Sequence, residues 1–142
     1  METTTKVLDM QFIRYANLFY NVTKIRTNHC FEYNHAIVFV VPRHLVMKSI
    51  GMNNINLERL SSIIGKKIKI VAIPNGINDI KNFVSVITKP VRFNSIEVLG
   101  DEVVINAGNQ SKASLIGRDK ARLLEMQNIL EQYFGIKKVR VK

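Results

Sequence analysis

Cysteine occurs once in this chain, at Cys30, and that count alone removes two kinds of covalent or metal staple. An intramolecular disulfide needs a second cysteine, and a multi-cysteine zinc site needs more than one. Long apolar runs are missing too. The longest, Ala36 to Val41, falls far short of the roughly 20 residues that a membrane-spanning helix requires. Met1 to Lys6 is polar and Thr-rich and lacks the apolar stretch of a secretory signal. With the lone thiol, this points to a cytoplasmic protein. Acidic residues are scarce: 11 Asp and Glu stand against 21 Lys and Arg, for a net charge of +10. Such an excess favours polyanionic partners, nucleic acid first and an acidic membrane surface second. No Walker loop, Gly-x-Ser-x-Gly elbow or dinucleotide fingerprint is present. Neither a small-molecule substrate nor a cofactor is expected, and the chain does not read as an enzyme.

What is present is the composition of a folded chain, 46% hydrophobic and 23% charged over 142 residues. From Val7 to Tyr20, Leu8, Phe12, Ala16, Leu18 and Phe19 recur at helical spacing. Lys24 to Tyr33 and Ala36 to Val41 are rich in β-branched and aromatic residues, with Asn34 and His35 as turn formers, and read as a hairpin. Pro42 ends the second strand. A short helix follows from Arg43 to Ile50, then a longer one through Ile55, Leu57, Leu60, Ile63 and Ile64 that stops at Gly65, then a strand from Lys67 to Ile73.

The same six elements then recur. Ile77, Ile80, Phe83, Val84 and Ile87 mark a helix, Pro90 to Leu99 and Glu102 to Ala107 a hairpin turning at Gly100 and Asp101, and Ser111 to Ile116 a short helix. Ala121 to Phe134 reads as an amphipathic helix through Leu123, Leu124, Ile129, Leu130 and Phe134, ended by Gly135. Ile136 to Val141 alternates as a last strand. Pro74 to Gly76 is the natural seam. The chain is therefore expected to be α+β, with one αββααβ unit over residues 1–75 and another over 76–142. Each would be a three-stranded sheet covered by helices on one face. Units this small have marginal cores, so they are expected to pack together.

In both halves an Ile-Gly pair separates the short helix from the longer one, as Ile50-Gly51-Met52-Asn53-Asn54 and Ile116-Gly117-Arg118-Asp119-Lys120. This placement resembles the Ile-Gly-x-x-Gly loop of KH domains, which joins two helices and clamps about four single-stranded nucleotides. The element order is similar to the type II KH arrangement. The tandem pair resembles the archaeal NusA-like transcription factors, as do Ile13 to Phe19, Val22-Thr23, Val38 to Val41, Gly65 to Val71 and Tyr133 to Ile136. The likeness spans Leu8 to Val141. In one respect the chain departs from the pattern, because Asn54 and Lys120 stand where the second glycine would be. Asn tolerates a left-handed backbone; Lys tolerates it less but adds a cation.

The resemblance implies a single-stranded RNA-binding protein of the transcription elongation and termination machinery. The alternative is a non-catalytic scaffold with degenerate KH domains docked on RNA polymerase or a ribosome. The candidate RNA-binding residues are Lys48, Gly51, Met52, Asn53, Asn54, Asn56 and Arg59 around the first loop. Around the second they are Lys112, Gly117, Arg118, Asp119, Lys120 and Arg122. Glycine lets phosphate approach the backbone, and the following helix offers its N-terminal amides. Apolar grooves beside the loops would accept unpaired bases. Lys66, Lys67 and Lys69 read as an exposed strand rim. His29, His35 and His44 read as structural, since no acidic residues cluster with them at ligand spacing. Cys30 reads as a small strand residue, and Phe12, Phe19, Phe39, Phe83 and Phe134 as core.

Overall fold

In the computed structural model of the chain, residues 2–142 are described, with side chains from Met10 onward; Met1 and the side chain of Leu8 lie outside them. The fold is α+β, with two three-stranded sheets in two compact units, Met1–Ile73 and Pro74–Lys142. The first unit runs α1 (Glu2–Thr23), β1 (His29–Tyr33), β2 (Ala36–Val41), α2 (Val46–Ile50), α3 (Ile55–Ile64) and β3 (Ile68–Ala72). The second runs α4 (Ile80–Thr88), β4 (Ser95–Leu99), β5 (Glu102–Asn106), α5 (Asn109–Ile116), α6 (Ala121–Phe134) and β6 (Lys138–Val141). Single 3-10 turns precede α2, α3, α4 and α6, at Arg43–Leu45, Met52–Asn54, Ile77–Asp79 and Arg118–Lys120.

The sheets share one plan. β1 pairs antiparallel with β2 (His29 opposite Val40), and β2 pairs parallel with β3 (Ile37 opposite Ile68). In the second unit Ser95 of β4 faces Asn106 of β5, and Val103 of β5 faces Val139 of β6. The hairpin turn at Asn34 and His35 has positive φ at both residues, the geometry whose twist matches paired strands. Because β3 starts opposite the beginning of β2, α3 must travel back along the sheet from the C-terminal end of β2. The loop between α2 and α3 is therefore held at that end. Register puts the loop between α5 and α6 at the corresponding end of the second sheet.

Each unit has its own core. In the first, Tyr15 and Phe19 of α1 and Leu60 of α3 bury against Cys30, Ile37, Phe39, Val41, Ile68 and Ile70 of the sheet. The rings of Phe19 and Phe39 stack at 4.5 Å between centroids. In the second, Phe83 meets Tyr133 at 5.1 Å and Phe134 at 5.6 Å, above buried Val103, Ile105 and Val139. All six residues of β2 are buried, so it is the central strand of the first unit in burial as well as in pairing.

Two strands are shorter than their β-branched residues suggested. Lys24 to Asn28 is a connection, because Thr23 and Thr27 use their hydroxyls on the backbone. Thr23 Oγ1 donates to the Phe19 carbonyl and accepts from the Ile25 amide, and Thr27 Oγ1 donates to the Val40 carbonyl. Pro90 to Asn94 likewise stays outside β4, where the Val91 amide closes a turn onto the Thr88 carbonyl. Ile55, Ile63, Ile77 and Leu124, whose spacing marks helices, are exposed.

His29 stacks on Phe12 at 5.5 Å, and its burial lowers the imidazole pKa. No group of three potential metal ligands occurs among the described residues, and no described helix is long and apolar enough to cross a membrane. Cys30 is buried, and desolvation pushes its thiol up to about 12. At pH 8 a water-soluble disulfide reagent should therefore label native protein slowly and label one thiol at once after denaturation. Rapid labelling of the native chain would contradict the burial of β1.

Candidate functional site

The two inter-helix loops are built alike, residue for residue. Gly51 has φ 80° and ψ 166°, and Gly117 has φ 74° and ψ 171°, a region open in practice only to glycine. Two left-handed residues follow near the end of each loop, Asn53 and Asn54 in the first and Asp119 and Lys120 in the second. The Asn54 amide bonds back to the Gly51 carbonyl at 3.2 Å, and the Lys120 amide to the Gly117 carbonyl at 3.2 Å. Lys120 thus adopts the same conformation as Asn54, with φ 62° against 61°. A lysine is a costlier occupant than asparagine there, yet the backbone does not differ.

Packing explains why glycine stands at the first position. A Cβ on Gly51 would lie 2.9 Å from Ile55 Cγ2 and 3.0 Å from Asn56 Nδ2. On Gly117 it would lie 2.8 Å from Arg122 Cγ and 3.0 Å from the Arg122 backbone nitrogen. The helices that follow, α3 and α6, receive no hydrogen bond from a capping side chain at Asn54 or Lys120. Each loop therefore opens onto a helix N-terminus whose amides carry partial positive charge and attract anions.

Of the candidate residues, Met52, Asn53 and Asn54 in the first loop and Arg118, Asp119 and Lys120 in the second are exposed, as are Lys48, Arg59 and Lys112 on the flanking helices. Two others turn inward. Asn56 donates from Nδ2 to the Ser49 carbonyl at 3.0 Å, tying α3 to the end of α2. Arg122, at the matching place in the second unit, sits 3.2 Å from Glu125 with its side chain only 14% exposed. Asn56 thereby holds its loop in shape, while the Arg122–Glu125 pair lies within α6 with the Arg122 stem packed under Gly117. Neither presents its polar end to a ligand in this conformation.

Sequence reasoning passed over Met47 and Ile55. Met47 is 77% and Met52 84% exposed, and with Ile55 they surround the first loop with apolar surface. The matching positions in the second loop hold Ala113, Arg118 and Ala121. The first loop is thus uncharged, its exposed Asn53 and Asn54 flanked by apolar Met47, Met52 and Ile55. The second carries two cations around one carboxylate. Apolar grooves were expected beside the loops; two hollows lie away from them. One of about 510 Å3 is lined by Arg14, Tyr15, Asn17, Leu18, Ile63 and Ile64, and one of about 390 Å3 by Ser85 and residues 89–93. Neither includes a loop residue. Lys66, at the far end of the first sheet, pairs with Glu32 at 2.8 Å, and this hydrogen bond raises its pKa.

Neither a family model nor a curated protein matches the chain. Among solved structures, the crystal structure of APE1850 is similar, with a TM-score of 0.63 at 22% identity, covering 94% of this chain and 99% of APE1850. That likeness concerns the fold.

The cramped glycines give a stability test. Alanine at Gly51 meets side-chain atoms that can shift, whereas alanine at Gly117 also meets a backbone nitrogen that cannot. Gly51→Ala should cost about 1–3 kcal/mol and Gly117→Ala about 2–4 kcal/mol, from disallowed backbone plus overpacking. Chemical denaturation of the two variants measures the order. Equal, near-zero costs would mean the loops relax freely.

Proposed function

We propose that the chain is a pair of type II KH domains that binds single-stranded RNA at the two glycine loops. We also propose that it works in the transcription elongation and termination machinery, as its resemblance to NusA-like factors implies. The observation that carries the RNA reading is the duplication. The same strained turn, with the same two left-handed residues and the same uncapped helix, occurs twice on a chain of net charge +10. The close approach of the following helix accounts for each glycine; what the duplication adds is an exposed backbone turn at a helix N-terminus, kept twice on a basic chain. A phosphate seated against the glycine would meet backbone amides, the positive end of α3 or α6, and the exposed cations beside them.

The two loops are unequal partners in this reading. Their shared backbone leaves side chains to set the difference. Arg118 and Lys120, offset by Asp119, give the second loop a net positive charge; Met52, Asn53 and Asn54 give the first none. The second loop should hold phosphate more firmly. The first, with Met47 and Met52 exposed, suits the apolar faces of unpaired bases.

Titration of a fluorescent single-stranded RNA with the full chain tests this. Arg118→Glu with Lys120→Glu should weaken binding by about ten- to a hundredfold, the scale of one or two charge-assisted contacts. Asn53→Asp with Asn54→Asp should weaken it less. The logarithm of affinity should fall linearly with the logarithm of salt, by about 0.7 for each phosphate contacted. If both double variants bind like the parent, the loops are not the site, and a scaffold role on RNA polymerase or a ribosome takes precedence.

A further inference from the structure

A second repeated motif lies outside the loops. Val22-Thr23-Lys24-Ile25-Arg26 spans the end of α1, and Ile87-Thr88-Lys89-Pro90-Val91-Arg92 spans the end of α4. In both, the threonine is buried and closes its helix. Thr23 Oγ1 donates to the Phe19 carbonyl at 2.8 Å, and Thr88 Oγ1 to the Val84 carbonyl at 2.9 Å. In both, the apolar residue before the arginine turns inward, Ile25 buried and Val91 half-buried, while the lysine and arginine on either side are exposed. The fold thus fixes the junction with threonine and the apolar residue. It leaves a lysine and an arginine at the surface in each unit, two residues apart in the first and three in the second, where Pro90 intervenes.

These cations are held in place rather than merely solvated. Lys24 Nζ lies 5.9 Å and Arg26 Cζ 5.1 Å from the centroid of the Tyr20 ring, which is 41% exposed. Cation–π contacts of this kind orient both charges without neutralising either. Lys24 also keeps a left-handed backbone, φ 62°, at the helix end where glycine is the usual occupant. In the second unit Lys89 and Arg92 line the hollow of about 390 Å3 with Ser85 and Phe93. Among the described residues, none of Lys24, Arg26 and Arg92 forms an ion pair.

Register fixes where the junctions lie. The Asn28 amide bonds to the Val40 carbonyl, so the α1–β1 junction sits at the C-terminal end of β2, from which Pro42 leads through the short α2 to Gly51. The Asn94 amide bonds to the Asn106 carbonyl, so the α4–β4 junction sits at the C-terminal end of β5, from which the chain leads through α5 to Gly117. In each unit the lysine–arginine pair and the glycine loop share one end of the sheet.

We propose that these two junctions are additional phosphate-binding sites, one per unit, engaging the backbone of the same single-stranded RNA beyond the nucleotides held at Gly51 and Gly117. The proposal rests on the RNA-binding reading of the loops. It extends each binding surface across the end of its sheet, with Lys24 and Arg26 serving the first unit and Lys89 and Arg92 the second.

Anisotropy titrations of a labelled 12-nucleotide oligouridylate, run over a series of salt concentrations on the full chain, test it. The variant carries Lys24→Gln, Arg26→Gln, Lys89→Gln and Arg92→Gln. It should melt like the parent, bind about tenfold more weakly, and show a salt slope shallower by roughly 0.7 for each phosphate it no longer holds. The control is Lys137→Gln with Lys138→Gln, exposed cations at the opposite end of the second sheet, which should change affinity less than twofold. Three outcomes overturn the proposal. If the junction variant keeps the parent's affinity and slope while Arg118→Glu with Lys120→Glu loses binding, the junctions fail and the loop reading stands. If the control weakens binding as much as the junction variant, the effect is one of general charge. If the parent does not bind the oligonucleotide at all, both readings fall together.

Discussion

A glycine that cannot carry a side chain sets the geometry of each repeat. The space where its Cβ would lie is taken by the helix that follows, by Ile55 and Asn56 in the first unit and by Arg122 in the second. This close approach lets a short helix fold directly against a longer one through a turn of only four residues. The turn then requires two left-handed residues to restore the helical direction, which is why Asn53, Asn54, Asp119 and Lys120 all have positive φ. Asn56 locks the first closure from inside by bonding back to the Ser49 carbonyl, and the stem of Arg122 packs under Gly117 in the second. The exposed character of the loop follows from the same constraint, since backbone and helix N-terminus are pressed to the surface with little side chain in front of them.

The sheet supports this arrangement by placing it. A buried central strand, β2 or β5, fixes the end from which the short helix departs, and its parallel pairing with β3 or β6 obliges the longer helix to return along the sheet. Aromatic contacts mark each core: Phe19 of α1 stacks on Phe39 of β2, and Phe83 of α4 packs on Tyr133 and Phe134 of α6. The loop is rigid because both helices that bound it are anchored. The same logic brings the first helix of each unit to that end, so the basic junctions and the loops arise from one topology used twice.

Much of this was legible in the sequence where strong breakers and clear periodicity coincide. β2 and α6 have the bounds that Pro42, Gly135 and their apolar patterns imply. The loops were legible because an Ile-Gly pair recurs at matching places. The β-branched stretch at Ile25 and Thr27 misled, because buried hydroxyl bonds to the backbone compete with strand pairing and composition does not reveal them. The inward turn of Asn56 and Arg122 was equally hidden: each lies five residues beyond its glycine, and only the folded loop brings it back underneath. Ile63 and Leu124 fit a helical face by spacing yet stay exposed, since the three-stranded sheets are too narrow to cover every apolar position.

The central claim is that both glycine loops touch RNA. Photocrosslinking of a bound single-stranded RNA, followed by mapping of the modified residues, reads those contacts directly. The account predicts crosslinked sites in both segments 47–59 and 112–122. Crosslinks confined to other surfaces, with both segments unmodified under conditions where the RNA is bound, would contradict it.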